Sequence, residues 1–243
     1  MNKKYDKSDL TSFSVNNSSI EIISDGSKKY IRKVTTLNNS LKKEIKFVYE
    51  LTIKYIEQLK NAEIPIPSIF ESKCTDEEII FICDYVGENI VDYVHPDRFE
   101  KTLRDEQIFE FVFSCLKKAQ DANINFDPHP KNYVIEQNII TYVDFTPPWL
   151  QDFYDLRIDN SSSQREESIM KDFFRCFHPD EMGYHLAGDL IKMNNNIYPF
   201  LPLLHEKLLE RNIIYSDYND FLERAESIKD RELAREENNI YLL

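Results

Sequence analysis

Glycine is scarce. The chain carries four in 243 residues, Gly26, Gly87, Gly183 and Gly188, where average usage of about 7% would give roughly 17. No GxGxxG or GxxxxGKS/T run can be assembled from them, which excludes an ordinary Rossmann or P-loop phosphate cradle. Cysteine is equally thin: Cys74, Cys83, Cys115 and Cys176 are widely spaced and form no CxxC pair. Neither a zinc ribbon nor a disulfide framework is indicated, and a cytoplasmic setting is expected. Basic charge is short as well. Thirty Lys and Arg against 43 Asp and Glu leave a formal charge of −13, the wrong sign for a phosphate-backbone binder, so no nucleic-acid partner is expected. No run approaches the roughly 18 apolar residues of a membrane span, and MNKKYDKSDLTSF lacks the apolar core of a signal peptide.

What is present is the composition of a folded chain, 42% hydrophobic and 30% charged. Residues SFSVNN and SIEIIS alternate in the manner of strands, and Asp25-Gly26 before KKYIRKVTT is a hairpin signal. Leu41, Ile45, Val48, Leu51, Tyr55, Ile56 and Leu59 recur at helical spacing, which predicts a helix over Ser40 to Asn61 with Ser40 as its cap. Pro65 and Pro67 stop it, and strands are expected at Ile69 to Glu71 and Ile79 to Tyr85. The β-β-α-β-β order implies a small antiparallel sheet with one helix packed on it, spanning residues 1–86. Residues 87–243 read as mainly helical, with one hairpin at YVIE-QN-IITYVDF and a capping-box pattern at Ser163 and Glu166. The expected class is α+β.

The chemistry-bearing segment is Asn125-Phe126-Asp127-Pro128-His129-Pro130-Lys131-Asn132, followed by Val143-Asp144-Phe145. Asp127 and Asn132 sit five apart on a proline-stiffened loop, and Asp144 ends the hairpin. Such a trio gathers oxygen ligands of the kind Mg²⁺ prefers. Phosphoryl transfer needs this grouping: a carboxylate to accept the proton of an attacking hydroxyl, and oxygen ligands to hold the metal against nucleotide phosphates.

These residues resemble the aminoglycoside phosphotransferase and choline kinase group of protein-kinase-like small-molecule kinases. That group's catalytic loop reads roughly H-G-D-x-H-P-x-N and its metal motif I/V-D-F, matched here at Asp127, His129, Pro130, Asn132, Asp144 and Phe145. The resemblance implies a two-lobed protein-kinase-like fold, with an N-lobe to Val86 and an α-rich C-lobe beyond it. It implies ATP and Mg²⁺ as cofactors, Asp127 as the catalytic carboxylate, and Asn132 and Asp144 as metal ligands. Lys33 then matches the phosphate-binding lysine of the third strand, Glu44 its partner on the helix, and Asp84 to Val86 the hinge facing the adenine edge. Asp155 matches an aspartate that braces the catalytic loop. Glu44 also falls inside the apolar arc of its helix, where a carboxylate needs a cationic partner.

The chain departs from that pattern in three places. Asn125 replaces the loop histidine, Thr146 with Pro147 and Pro148 follows V-D-F, and the nucleotide loop reads SVNNSSIEI, in which Asn16, Asn17, Ser18 and Ser19 take the place of glycines. The expected activity is transfer of phosphate to a hydroxyl of a small molecule, and the −13 charge favours a cationic one by steering. Two alternatives stand beside it: a pseudokinase-like module that binds a nucleotide or partner without turnover, and a metallohydrolase using Asp127 and His129. His178 and His185, with Asp180 and Glu181 between them, are read as structural in preference to metal-binding, because no HExxH-like spacing is present. Phe173, Phe174 and Phe177 are read as core, and Trp149 as either a pocket wall or packing.

Overall fold

The computed structural model describes residues 6–7, 13–15, 18–105, 107–240 and 242–243. A six-stranded antiparallel sheet comes first, built from β1 (Asp6–Lys7), β2 (Phe13–Val15), β3 (Ser18–Ser24), β4 (Lys29–Thr36), β5 (Ile69–Cys74) and β6 (Glu78–Asp84). Its order is β1-β3-β4-β6-β5, with β2 also paired to β3. The β3–β4 hairpin turns where expected: Asp25 Oδ1 accepts from the Ser27 and Lys28 amides, and Gly26 takes φ +90°. The expected Asn16–Asn17 part of the nucleotide loop lies outside the described residues, while Ser18 and Ser19 are laddered to Thr35 and Val34.

Helix α1 (Ile45–Asn61) crosses between β4 and β5 and buries Ile45, Val48, Leu51, Tyr55, Ile56 and Leu59, the stripe its spacing predicted. Its entry differs from the expectation. Residues 42–44 form a 3-10 turn, Ser40 is not a cap, and the chain enters through a turn in which Asn38 Oδ1 accepts from the Ser40 and Leu41 amides.

The remainder is helical, as its periodicity implied, around a three-stranded sheet of β7 (Glu88–Asn89), β8 (Tyr133–Glu136) and β9 (Ile139–Tyr142). The helices are α2 (Pro96–Asp105), α3 (Gln107–Asp121), α4 (Gln151–Asp159), α5 (Gln164–Arg175), α6 (Met182–Met193), α7 (Leu201–Glu210) and α8 (Tyr218–Glu237). Gln137 and Asn138 both take positive φ in the β8–β9 turn, the geometry of a tight two-residue hairpin. Ser163 Oγ caps α5 through the Glu166 amide. Helix α6 is buried along Met182–Ile191 and forms the centre of this half.

Gly87 joins the two parts. Its φ is +110°, and a Cβ there would stand 2.1 Å from the Ile135 carbonyl oxygen of β8, so both conformation and space demand glycine. One apolar core runs through the whole structure, from Leu37 and Val48 through Phe81, Phe126 and Phe145 to Leu204 and Leu243. All four cysteines are free. No helix among the described residues is long and apolar enough to cross a membrane.

Candidate functional site

The loop between α3 and β8 is held from three sides. Tyr55 of α1 donates its hydroxyl to the Asn125 carbonyl (3.1 Å), the Phe126 amide donates to the Phe177 carbonyl (3.1 Å), and the Phe126 ring lies on Tyr142, 4.3 Å between centroids. Within the loop, Asp127 Oδ1 accepts from the His129 amide (2.9 Å). His129 Nδ1 in turn accepts from the Lys131 amide (3.0 Å), which leaves the ring proton on Nε2. Burial depresses His129 to about 3, so it is neutral at physiological pH.

Asn132 closes the loop. Its amide Nδ2 donates to the Asp127 carbonyl (3.4 Å), and its own carbonyl accepts from Val143 N (2.8 Å), which ties the loop to the residue before Asp144. Lys33 arrives from β4, opposite Phe81 of β6 and Ile20 of β3. Its Nζ lies 3.1 Å from Asp144 Oδ1 and 4.9 Å above the Phe145 ring. Phe145 packs edge-on against Phe81 at 5.3 Å, and Phe81 stacks with Tyr49 of α1. Helix, sheet and loop are thereby fixed in mutual register.

Lys33, Asp127, Asn132 and Asp144 line one cavity of about 300 Å³, together with Ile20, Thr146, Trp149 and Leu243. Burial pushes Asp127 up, His185 opposes that, and Asp144 adds to it; the carboxyl reaches about 6. Two oxygen ligands, Asn132 and Asp144, face the same cavity. Because the Asn132 side-chain nitrogen is turned to the loop, its Oδ1 is the atom available to a cation. This hard-oxygen pair fits Mg²⁺.

Two expected assignments fall elsewhere. Glu44 does not pair with Lys33. The 3-10 turn ends on it, so the 100° per residue projection of an α-helix does not apply there, and Glu44 stands half-buried at the N-cap of α1. Asp155 does not brace the loop; it is exposed on α4 and accepts from Gln151 Nε2 (2.8 Å). His178 and His185, not read as a metal pair, do not cluster: His178 is exposed, whereas His185 is fully buried. Asp84 and Val86 sit at the end of β6 and do not line this cavity. Asp84 lies three residues beyond the partner of Lys33, about 10 Å along the strand. The Asp84 amide donates to Ser68 O (2.9 Å) and its carboxylate pairs with Lys28 at 2.5 Å. Trp149 fills both roles considered for it, lining the cavity while stacking on Phe177 at 3.7 Å. Phe173, Phe174 and Phe177 are core.

A second group beside Asp127 had almost no sequence signal. His185 and Asp189 of α6 are buried with Glu232 of α8. His185 Nδ1 meets the Cys176 carbonyl at 3.1 Å, and its Nε2 meets Glu232 Oε1 at 3.1 Å. Lys192 Nζ closes the group on Glu232 Oε2 at 2.6 Å. Burial pushes His185 down, but Asp189, Glu232 and Asp127 outweigh it and hold the imidazole at about 9. The only trace in the sequence is the i, i+4, i+7 spacing of His185, Asp189 and Lys192, which puts them on one helix face.

No protein-family model matches the chain, and no curated protein matches it in sequence.

Proposed function

We propose that the protein is an ATP- and Mg²⁺-dependent phosphotransferase of two-lobed, protein-kinase-like architecture, acting on a hydroxyl of a small molecule. The carrying observation is the convergence of Lys33, Asp127, Asn132 and Asp144, contributed by a strand and two loops up to 111 residues apart, on one cavity. Asp127 orients the acceptor hydroxyl and takes its proton; a carboxyl near 6 is ionised at neutral pH yet basic enough to do so. Asn132 and Asp144 hold Mg²⁺, which when bound neutralises phosphate charge. Lys33 exchanges Asp144 for the phosphate oxygens, steadied by the Phe145 ring beneath it. The nucleotide runs along β6 toward Asp84 and Val86.

The cationic character of the acceptor rests on the −13 charge of the chain and not on the cavity. There Asp127, Asp144, Glu232 and Glu236 face Lys33, Lys131, Lys192 and Arg235. With four glycines and no glycine-rich cradle, phosphate grip depends on Lys33 and the metal, so nucleotide affinity without Mg²⁺ is weak.

The second reading, a nucleotide- or partner-binding module without turnover, is favoured by the ion pair of Lys33 with Asp144 in place of Glu44. Mg·ATP turnover over amino-sugar, choline-like and peptide acceptors separates the two, with Asp127→Ala as control. Turnover abolished by that substitution supports the phosphotransferase. Nucleotide-dependent thermal stabilisation without turnover supports the binding module.

A further inference from the structure

We infer that Asp127, His185 and Asp189 form a binding site for a divalent cation of the zinc class, separate from the Asn132–Asp144 pair. One ligand atom from each lies within 4.8 Å of the other two. Bonds of about 2.1 Å to a tetrahedral ion place ligand atoms roughly 3.4 Å apart, a contraction that side-chain rotation supplies.

Asp189 carries the argument. Its side chain is fully buried, and neither carboxylate oxygen has a hydrogen-bond partner. The nearest cationic atom, His185 Nε2, is 3.7 Å from Oδ2, beyond hydrogen-bonding distance. Burial first, then Glu232, push Asp189 well above the ordinary carboxylate range, so without a cation it is held as the neutral acid, and a bound cation would draw off that proton. His185 is already set as metal-binding imidazoles are: Nδ1 is anchored on a backbone carbonyl, and Nε2 is aimed at the carboxylates.

The charge count agrees. A divalent ion would displace the protons that His185 and Asp189 carry in its absence: Asp127, Asp189 and Glu232 then bring three negative charges, Lys192 one positive and the ion two. One imidazole nitrogen with two carboxylates selects zinc, cobalt or manganese over magnesium. Glu232 Oε1 meets the same His185 Nε2 at 3.1 Å, a hydrogen bond that the ion would replace, which frees Glu232 to serve as a further ligand. Among the described residues the histidine whose ligand atom gathers with Asp127 is His185, and His129 instead accepts from the Lys131 amide at Nδ1.

The ion would occupy the same Asp127 that the proposed phosphotransfer uses as base, so the two uses exclude one another in any one molecule, and the test of this site needs no turnover. Chelator-treated full-length protein is titrated with ZnCl₂ alone by calorimetry, and with CoCl₂ by visible absorption. One equivalent of zinc, a cobalt ligand-field spectrum and zinc-dependent thermal stabilisation are expected, none of them reproduced by MgCl₂. Asp189→Asn, nearly isosteric, and His185→Gln weaken zinc binding by at least ~100-fold, while His178→Gln leaves it unchanged. Failure of the wild-type protein to take up stoichiometric zinc overturns the proposal, as does an unchanged affinity in a folded Asp189→Asn variant. Loss of phosphotransfer in Asp127→Ala with zinc binding absent from the wild type would leave the phosphotransferase reading standing and this one refuted.

Discussion

Lys33 and Asp144 form an ion pair that joins strand β4 to the loop after β9, at 3.1 Å and with the lysine nearly buried. This contact, and not a link to helix α1, sets the position of the ammonium in the cavity. Lys33→Met should leave Asp144 without its cation and cost about 1–3 kcal/mol of stability, whereas Glu44→Ala and Asp155→Ala should each lie within about 0.5 kcal/mol of wild type. Urea denaturation of the three variants measures this. A larger loss in Glu44→Ala than in Lys33→Met would restore the helix partner.

If the proposed phosphotransfer is the activity, Asp127→Asn should lower turnover by about 10²–10⁴-fold while nucleotide binding persists. In the wild-type protein the rate should rise with pH through about 6 and then level, since the carboxyl must lose its proton to act and burial first, then Asp144, hold it near that value. Activity that falls over the same interval would exclude Asp127 as the base.

His185 offers a stability test in metal-free protein. Its folded value of about 9 lies above the ordinary imidazole value of about 6.5. Its stabilising contribution is therefore fully present below about pH 6.5 and is lost as the pH rises through 9. The stability margin of wild type over His185→Gln, taken from urea midpoints, should narrow between about pH 6 and about pH 10. A margin that widens would reverse the assigned charge state.

The glycines should separate by environment. Gly26→Ala meets nothing within 4 Å and bears only the penalty of φ +90°, about 1–2 kcal/mol. Gly87→Ala adds a collision with the Ile135 carbonyl at 2.1 Å and should be the more damaging. Gly188→Ala would put a Cβ 2.8 Å from the Ala225 carbonyl, forcing α6 off α8 at a cost of about 1–3 kcal/mol. It should also weaken zinc binding, because that close crossing brings His185 and Asp189 to Glu232. Thermal unfolding ranks the three.

The strands, the α1 stripe and the Asp127-to-Asp144 segment were legible because each is a local pattern: alternation, 3.6-residue periodicity, or a proline-fixed loop. Glu44 was misplaced because helical periodicity was projected across a turn of a different pitch. Asp155 was misplaced because a matched register carries no information about which face of α4 is buried. The His185–Asp189–Glu232–Lys192 group escaped because its members come from two helices and meet only where Gly188 lets them cross; the ion pair of Lys192 with Glu232 spans 40 residues of chain. Long-range pairing of charged residues leaves little trace in a single sequence.

The continuity of the apolar core bears on how the protein comes apart. Phe81 of the sheet and Phe145 of the helical half are members of one buried cluster, and Tyr142 takes its backbone partner from Pro65 across the same boundary. Neither half can shed the other without exposing apolar surface, so the chain should melt in a single cooperative transition. The cavity is then a permanent seam inside one folding unit, and a cut at Gly87 would yield two aggregating fragments where a hinged pair of autonomous modules would yield two soluble ones.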